Sequence, residues 1–255
     1  MRMRRAMVAL STLSALVVAW FVLTTVTGLI SSGRFPDPFA TWAAMRQLVS
    51  PGYAGSTLVV HVVHSLTLVL GGFMLASTLG VSLGLLMGWS RKAEAFINPI
   101  FLLLRPIPPL AWIPLAILWL GLGDAAKIMV IVIAAFVPNV INTSTGVRTI
   151  EKTVFEASQM LGTPRWRFVG EVLIPASLPA IFTGLRLSLQ AAWTTLVAAE
   201  LVGALAGIGL VLNVAQQDIY PAMILSAMFV VGVLGWLMTL LLGFVERRAL
   251  AWRTA

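Results

Sequence analysis

The chain contains no cysteine, which excludes a disulfide framework and any thiolate metal site. Charge is scarce as well. Only 10% of its 255 residues are charged, against roughly 25% in a soluble domain, so a water-soluble globule is excluded and a chain embedded in lipid is expected. There are two histidines, His61 and His64, three residues apart with no acidic third ligand beside them. No metal site is expected there, and interfacial packing is the default role. No glycine-rich loop leads into a Lys-Ser/Thr pair, so the chain has no means of hydrolysing ATP. Polar residues do not cluster at one interface as an integral membrane enzyme requires, and Ser, His and Asp partners fall on opposite sides of the expected membrane.

Long apolar runs occupy most of what is there. Ala6 to Ile30 is uncharged over its whole length, longer than the roughly 20 residues that cross a bilayer and longer than the core of a signal peptide. It reads as an uncleaved first span behind the basic head Arg2, Arg4 and Arg5. Further spans are predicted at about Leu58–Trp89, Ala95–Leu120, Ile128–Val147, Ala176–Gly203 and Pro221–Val245, six in all. In the first outer loop, Ser31 to Thr57, the stretch Phe39–Leu48 suits a short interfacial helix. Gly80, Gly84 and Gly88 repeat every fourth residue, a spacing that lets helices approach closely in lipid. The third span is interrupted: Arg105-Pro106-Ile107-Pro108-Pro109 breaks the backbone ladder, and broken backbone at membrane depth needs protein or a water-filled cavity around it.

The net charge of +8 raises the question of nucleic acid, and topology answers it. Twelve basic residues fall on the side of the termini and three, Arg34, Arg46 and Lys127, on the other; Arg105 and Arg186 lie within or near the membrane. That asymmetry puts both termini in the cytoplasm and removes nucleic acid as a partner, leaving membrane lipid.

One long polar interval remains, Glu151–Pro175, EKTVFEASQMLGTPRWRFVGEVLIP. It predicts a short helix over about Lys152–Leu161 ended by Gly162, a residue that takes a left-handed cap without strain. Thr163 is then placed to cap a second short helix, with Pro164 in its first turn and Pro175 ending or kinking it. Two short helices at a tight corner between spans make a protrusion for a soluble partner.

The order Glu156-Ala157-Ser158, Gly162 six residues after the Glu, and Ile174-Pro175 resembles the EAA loop of ABC importer permeases; Ser158 stands where the third motif position is usually Ala. The segments Arg105 to Pro114, Leu118-Trp119, Gly121 to Asp124 and Thr195 to Leu201, and His61 with Ser65, are similar to permeases for taurine, aliphatic sulfonates and nitrate, nearest the taurine branch. The likeness covers about residues 56 to 245. It implies an all-α polytopic protein with the type I ABC importer permease fold. The implied layout is a first span and periplasmic loop at 1–57, a permease core at 58–245 with its coupling loop at 148–175, and a cytoplasmic tail at 246–255. It also implies a bacterial inner-membrane location, a homodimer, two ATPase subunits that bind ATP and magnesium in place of this chain, and a periplasmic or lipid-anchored binding protein. Glu156, Ala157, Ser158, Gly162, Thr163, Pro164 and Pro175 become coupling residues by position. The function implied is import of a small anion by alternating access. An ion-coupled secondary transporter is the alternative, weakened because only Glu200 is available as an intramembrane acid and the broken helix does not recur in both halves.

Candidates for the translocation path are Arg105, Pro108, Pro109, Trp112, Asn139, Asn142, Trp193 and Glu200. A cation at a helix centre costs about 3 kcal/mol or more, so Arg105 either meets a transported anion or braces the freed carbonyls of its own span. Glu200 is read as an outer gate or as a residue reaching the interface. Asn139 and Asn142 suit bonds between helices or a place on the path. Trp112, Trp119 and Trp193 are belt or core aromatics, with Trp112, beside the proline break, also placed to line a cavity.

Overall fold

The computed structural model describes residues 2–28, 30–31 and 33–253. Leu29 and Ser32, inside the expected first span and outer loop, lie outside the described residues, as do Thr254 and Ala255 of the tail and the side chains of Arg2, Arg4 and Arg5. Among the described residues every regular element is helical. Four helices are long and apolar enough to cross a membrane, Leu58–Trp89, Asp124–Arg148, Arg165–Val202 and Pro221–Ala249. A fifth candidate is the pair Arg91–Leu104 and Pro109–Leu120, bent by 82° at the proline break. At the start of the chain α1 (Arg2–Phe21) runs into a widened turn at Val22–Val26, and its apolar part, Ser14–Val26, is shorter than the others.

Packing divides the chain into two compact units, each discontinuous in sequence: Met1–His64 with Leu205–Val233, and Ser65–Ala204 with Leu234–Ala255. In the first, α2 (Pro38–Val49) is started by Asp37, whose carboxylate accepts from the Ala40 N–H at 2.7 Å, with Pro38 in the first turn where no N–H is needed. Trp20 donates to the Pro36 carbonyl and packs against Phe35 and Phe229. A helix not foreseen in the second outer loop, α10 (Ile208–Gln217), buries Ile208, Val211 and Ala215. That i, i+3, i+7 spacing was a legible signal, masked by the glycines before it. His61 is fully buried at the head of α3 (Leu58–Trp89). The Gly207 N–H donates to its Nδ1 (3.1 Å) and the Tyr53 carbonyl lies 3.0 Å from Nε2, which assigns the ring proton to Nε2. Close by, Tyr53 donates to the Asp218 carboxylate; burial first, then that carboxylate, raise the Tyr53 hydroxyl above its ordinary range, so it stays a donor.

The second unit is built around α6 (Asp124–Arg148), with α3 on one side and α9 (Ile174–Val202) on the other. A β-carbon on Gly72, Gly80, Gly84 or Gly88 would come within 2.5–2.7 Å of Ile131, Asn139, Thr143 or Val147 of α6. The glycine repeat therefore does what its spacing predicted, and Gly72 extends the row. From the other side, a β-carbon on Gly146 of α6 would lie 2.4 Å from Ala180 of α9. Pro138 interrupts α6 without ending it. Around that interruption, Asn139 Nδ2 (3.0 Å) and Ser188 Oγ (2.6 Å) both donate to the Ala135 carbonyl, and Asn139 also donates to Ser77 Oγ at 3.3 Å. One polar knot thus ties three helices where lipid offers no hydrogen-bonding partner. A small apolar core of Ile113, Ala116, Ala126, Val130 and Ala199 joins α5 (Ile113–Leu120) to α6 and α9.

Candidate functional site

Two features of the second unit gather the predicted site residues. The first is the hairpin after α6. Helix α7 (Lys152–Met160) ends in a Schellman turn. Gly162 has φ +65°, the left-handed conformation its position predicted, and the Thr163 N–H donates to the Ser158 carbonyl at 3.1 Å. Thr163 therefore closes the first helix and does not cap a second. The cap position of α8 (Arg165–Arg167) is held by Pro164, whose ψ of 149° is extended as an N-cap requires. Pro175 is corrected too. It does not end the second short helix but occupies the first turn of α9, after a widened turn at Phe168–Leu173. The Ile174 N–H there reaches back five residues to the Val169 carbonyl, so the ladder shifts register just before the residue that lacks a donor, and the helix continues.

This hairpin is held from behind and open in front. The Phe155 and Phe168 rings pack against each other, centroids 5.0 Å apart and planes tilted by 43°, on a base of Val147 and Leu173. On the outward side Glu156 and Ala157 are exposed, and so are three large apolar side chains, Met160 (89%), Leu161 (83%) and Trp166 (72%). Ser158 is half-buried, its hydroxyl donating to the Phe155 carbonyl. Arg148, the last residue of α6, donates to Glu94 at 2.8 Å in the first turn of α4 (Arg91–Leu104) and to the Met87 carbonyl at 3.4 Å. Sequence reasoning missed both anchors. Phe155 and Phe168 face each other across a turn with no shared periodicity, and Glu94 and Arg148 belong to different helices.

The second feature is the break in the third span. Arg105 caps the end of α4, a bend follows, and Pro109–Trp112 forms one tight turn before α5. A cavity of about 500 Å³ opens beside it, lined by Arg105, Pro109 and Trp112 together with Phe101, Phe136 and Pro138. Pro108 sits at the cap of the tight turn, exposed. Arg105 is exposed within the single chain, contrary to the expectation of a buried cation. Among the described residues its guanidinium meets no carboxylate and no carbonyl of its own helix, so the bracing role is not what the geometry offers. Arg105 instead lines the cavity at the 82° bend.

The other path candidates lie elsewhere. Asn139 is fully buried under α3, and Asn142 Nδ2 donates to the Pro138 carbonyl at 2.8 Å, one turn back. Trp193 is buried and donates to the Met238 sulfur. Glu200 does not reach an interface: it is fully buried and accepts from Ser65 Oγ at 2.8 Å. A carboxylate in an apolar helix bundle is retained only when hydrogen-bonded, and Ser65 supplies such a bond.

Residues 76–250 match the family model described as binding-protein-dependent transport system inner membrane component. The chain belongs to this family. It is an inner-membrane permease component of an ABC importer, a multi-pass translocation subunit and not an enzyme. Importers of this type work with an ATPase and a substrate-binding protein. It is similar over 98% of its length, at 33% identity and covering 90% of the relative, to the taurine transport system permease protein TauC of Escherichia coli strain K12. It is 32% identical over 95% of its length, and 87% of the relative's, to the putative aliphatic sulfonates transport permease protein SsuC of Bacillus subtilis strain 168. A bicarbonate transport system permease protein of Synechococcus elongatus is 35% identical over 85% of this chain and 82% of its own. Among solved structures, an inward-facing MetNI methionine ABC transporter superposes with a TM-score of 0.67 over 75% of this chain and 95% of that one, at 21% identity. The permease fold is therefore common to both chains.

For such a permease the Arg148–Glu94 contact has a testable consequence, because it ties the root of the hairpin to the helix that carries Arg105. Exposed pairs of this kind are worth about 0–1 kcal/mol, so Arg148→Glu is expected to lower solute moved per ATP only about two- to fivefold, and Arg148→Glu with Glu94→Arg to restore it. The ratio is measured in proteoliposomes containing the whole transporter; no recovery in the double variant argues against a link between the two elements.

Proposed function

We propose that this permease carries a small anion of the taurine, sulfonate or nitrate class from a periplasmic or lipid-anchored binding protein into the cytoplasm by alternating access. The observation that carries the reading is the hairpin after α6, rigid behind and apolar in front. Exposed apolar surface of that kind marks a contact site, and its Glu156-Ala157-Ser158 and Gly162 pattern suits the groove of an ATPase. Glu156, Ala157, Ser158, Gly162, Thr163 and Pro164 act as the coupling surface, and Pro175 fixes the start of the span they drive. The assembly is two copies of this chain with two ATPase subunits, which bind ATP and magnesium; this chain needs no cofactor. Six spans with both termini and the hairpin in the cytoplasm fit the distribution of basic residues. Arg105, at a cavity free of acids, supports an anionic solute, and the names of the taurine and sulfonate relatives point the same way.

Docking is tested at Glu156, which is exposed. Glu156→Lys is expected to reduce co-purification of the ATPase with this chain at least about tenfold, the loss of one charge-assisted contact and its replacement by a like charge. Unchanged recovery of the ATPase would remove Glu156 from the interface.

A further inference from the structure

A second cavity lies apart from Arg105, between α9 and α11 (Pro221–Ala249). It encloses about 250 Å³, with Arg186, Gln190, Trp193 and Thr194 on one wall and Gly235 and Thr239 on the other. Residues 186, 190 and 194 recur every fourth position, so they form one polar track on α9 about 12 Å long. Leu187 and Leu189 complete an apolar wall.

The polar groups of this track keep hydrogen-bonding capacity that contacts within the protein do not use up. Arg186, half exposed, is paired with Glu246 of α11, an interaction that engages one arm of a five-donor group. The Thr194 and Thr239 hydroxyls bond only to carbonyls of their own helices, Gln190 and Ala191 in one case and Gly235 in the other, and a hydroxyl turns to a new partner at little cost. The Gln190 side chain is exposed, and among the described residues its amide has no partner. The volume is below that of a drug-sized site and suits a solute of a few heavy atoms with an oxyanion head.

We propose that this groove is a binding station for a small sulfonate- or carboxylate-headed solute. Arg186 holds the anion, Gln190, Thr194 and Thr239 supply neutral polar contacts, and Glu246 takes Arg186 back when the groove empties. The station rests on the anion-import reading but is separate from the cavity at Arg105. A phospholipid headgroup offers the same oxyanion, so the test must distinguish the two sources.

Because the chain has no cysteine, a single thiol can be placed in the groove. The variant Thr194→Cys is assembled with its ATPase in nanodiscs of phosphatidylcholine. It is treated with a methanethiosulfonate bearing an ethylsulfonate or a trimethylammonioethyl group, and labelling is read from the mass of this chain. After normalisation to a free thiol, the anionic reagent is expected to react about tenfold faster, the enrichment a local cation gives in a cleft. Ethanesulfonate should slow it. Adding Arg186→Gln should abolish both the preference and the protection by ethanesulfonate, and adding Glu246→Gln should increase both; a merely structural ion pair shifts the preference in the same directions but gives no saturable protection. Gln190→Cys serves as a second position if Thr194→Cys fails to assemble. Equal rates for the two reagents, a preference indifferent to Arg186→Gln, or protection by phosphatidylglycerol and not by ethanesulfonate would each overturn the station. If the unaltered complex still takes up ethanesulfonate or taurine through its binding protein in those cases, the station alone is lost. If it takes up no anion, the parent reading falls with it.

Discussion

Gly162→Val is expected to reduce solute uptake by reconstituted transporter about tenfold while leaving the helix content and membrane insertion of the chain unchanged. The reasoning is conformational and not steric. Gly162 holds φ +65°, and a β-carbon there would meet nothing within 4 Å. An L-residue in that conformation costs about 1–2 kcal/mol, more when β-branched, and about 1.4 kcal/mol is a factor of ten in an equilibrium. The penalty falls on the Schellman turn that orients α7, so the hairpin loses its presented shape and not its helices. Asn enters the left-handed region with less strain, so Gly162→Asn should keep most of the activity. The measurement is ATP hydrolysed per solute delivered. Equal loss in the Val and Asn variants would show that the residue acts through contact with its partner and not through its backbone.

Arg105→Ala is expected to lower uptake of a sulfonate by about 10- to 100-fold with assembly unaffected, since a charge-assisted bond is worth roughly 1.5–3 kcal/mol. Loss of fold is not the expected route. The guanidinium is exposed and, among the described residues, makes no bond that holds α4 or α5 in place. Arg105→Lys keeps the charge without the planar fork and should fall between. Uptake by the loaded transporter, with co-purification of the ATPase as the control for assembly, separates the outcomes; normal transport by the Ala variant takes Arg105 off the path.

Comparison of particular residues shows where local reasoning works. The span at Leu58–Trp89 was legible to the residue because a lipid-crossing helix is an uninterrupted apolar run. The broken third span was legible because prolines disrupt a ladder wherever they occur, and the left-handed corner because only glycine takes it freely. Thr163 and Pro175 were misread. In each case a backbone alternative, the Thr163 N–H closing a Schellman turn and the shifted register before Pro175, satisfied the chain without the side-chain cap or stop that the residue type suggests.

Polar residues in lipid divide the matter most clearly. Arg105, Asn139, Trp193 and Glu200 were all candidates for the path, each with a structural alternative that the sequence left open. Composition and pattern alone determined that this chain is helical, membrane-embedded, and broken once beside a cation, because those properties follow from hydration and backbone chemistry acting over a few residues. Only the packed structure decided that Asn139 and Glu200 are spent on Ser77 and Ser65 while Arg105 is left open. A buried polar group takes whichever partner the neighbouring helix brings within 3.5 Å, and for Asn139 that depends on the close approach of α3 to α6 at Gly72, Gly80, Gly84 and Gly88, not on anything adjacent in the chain.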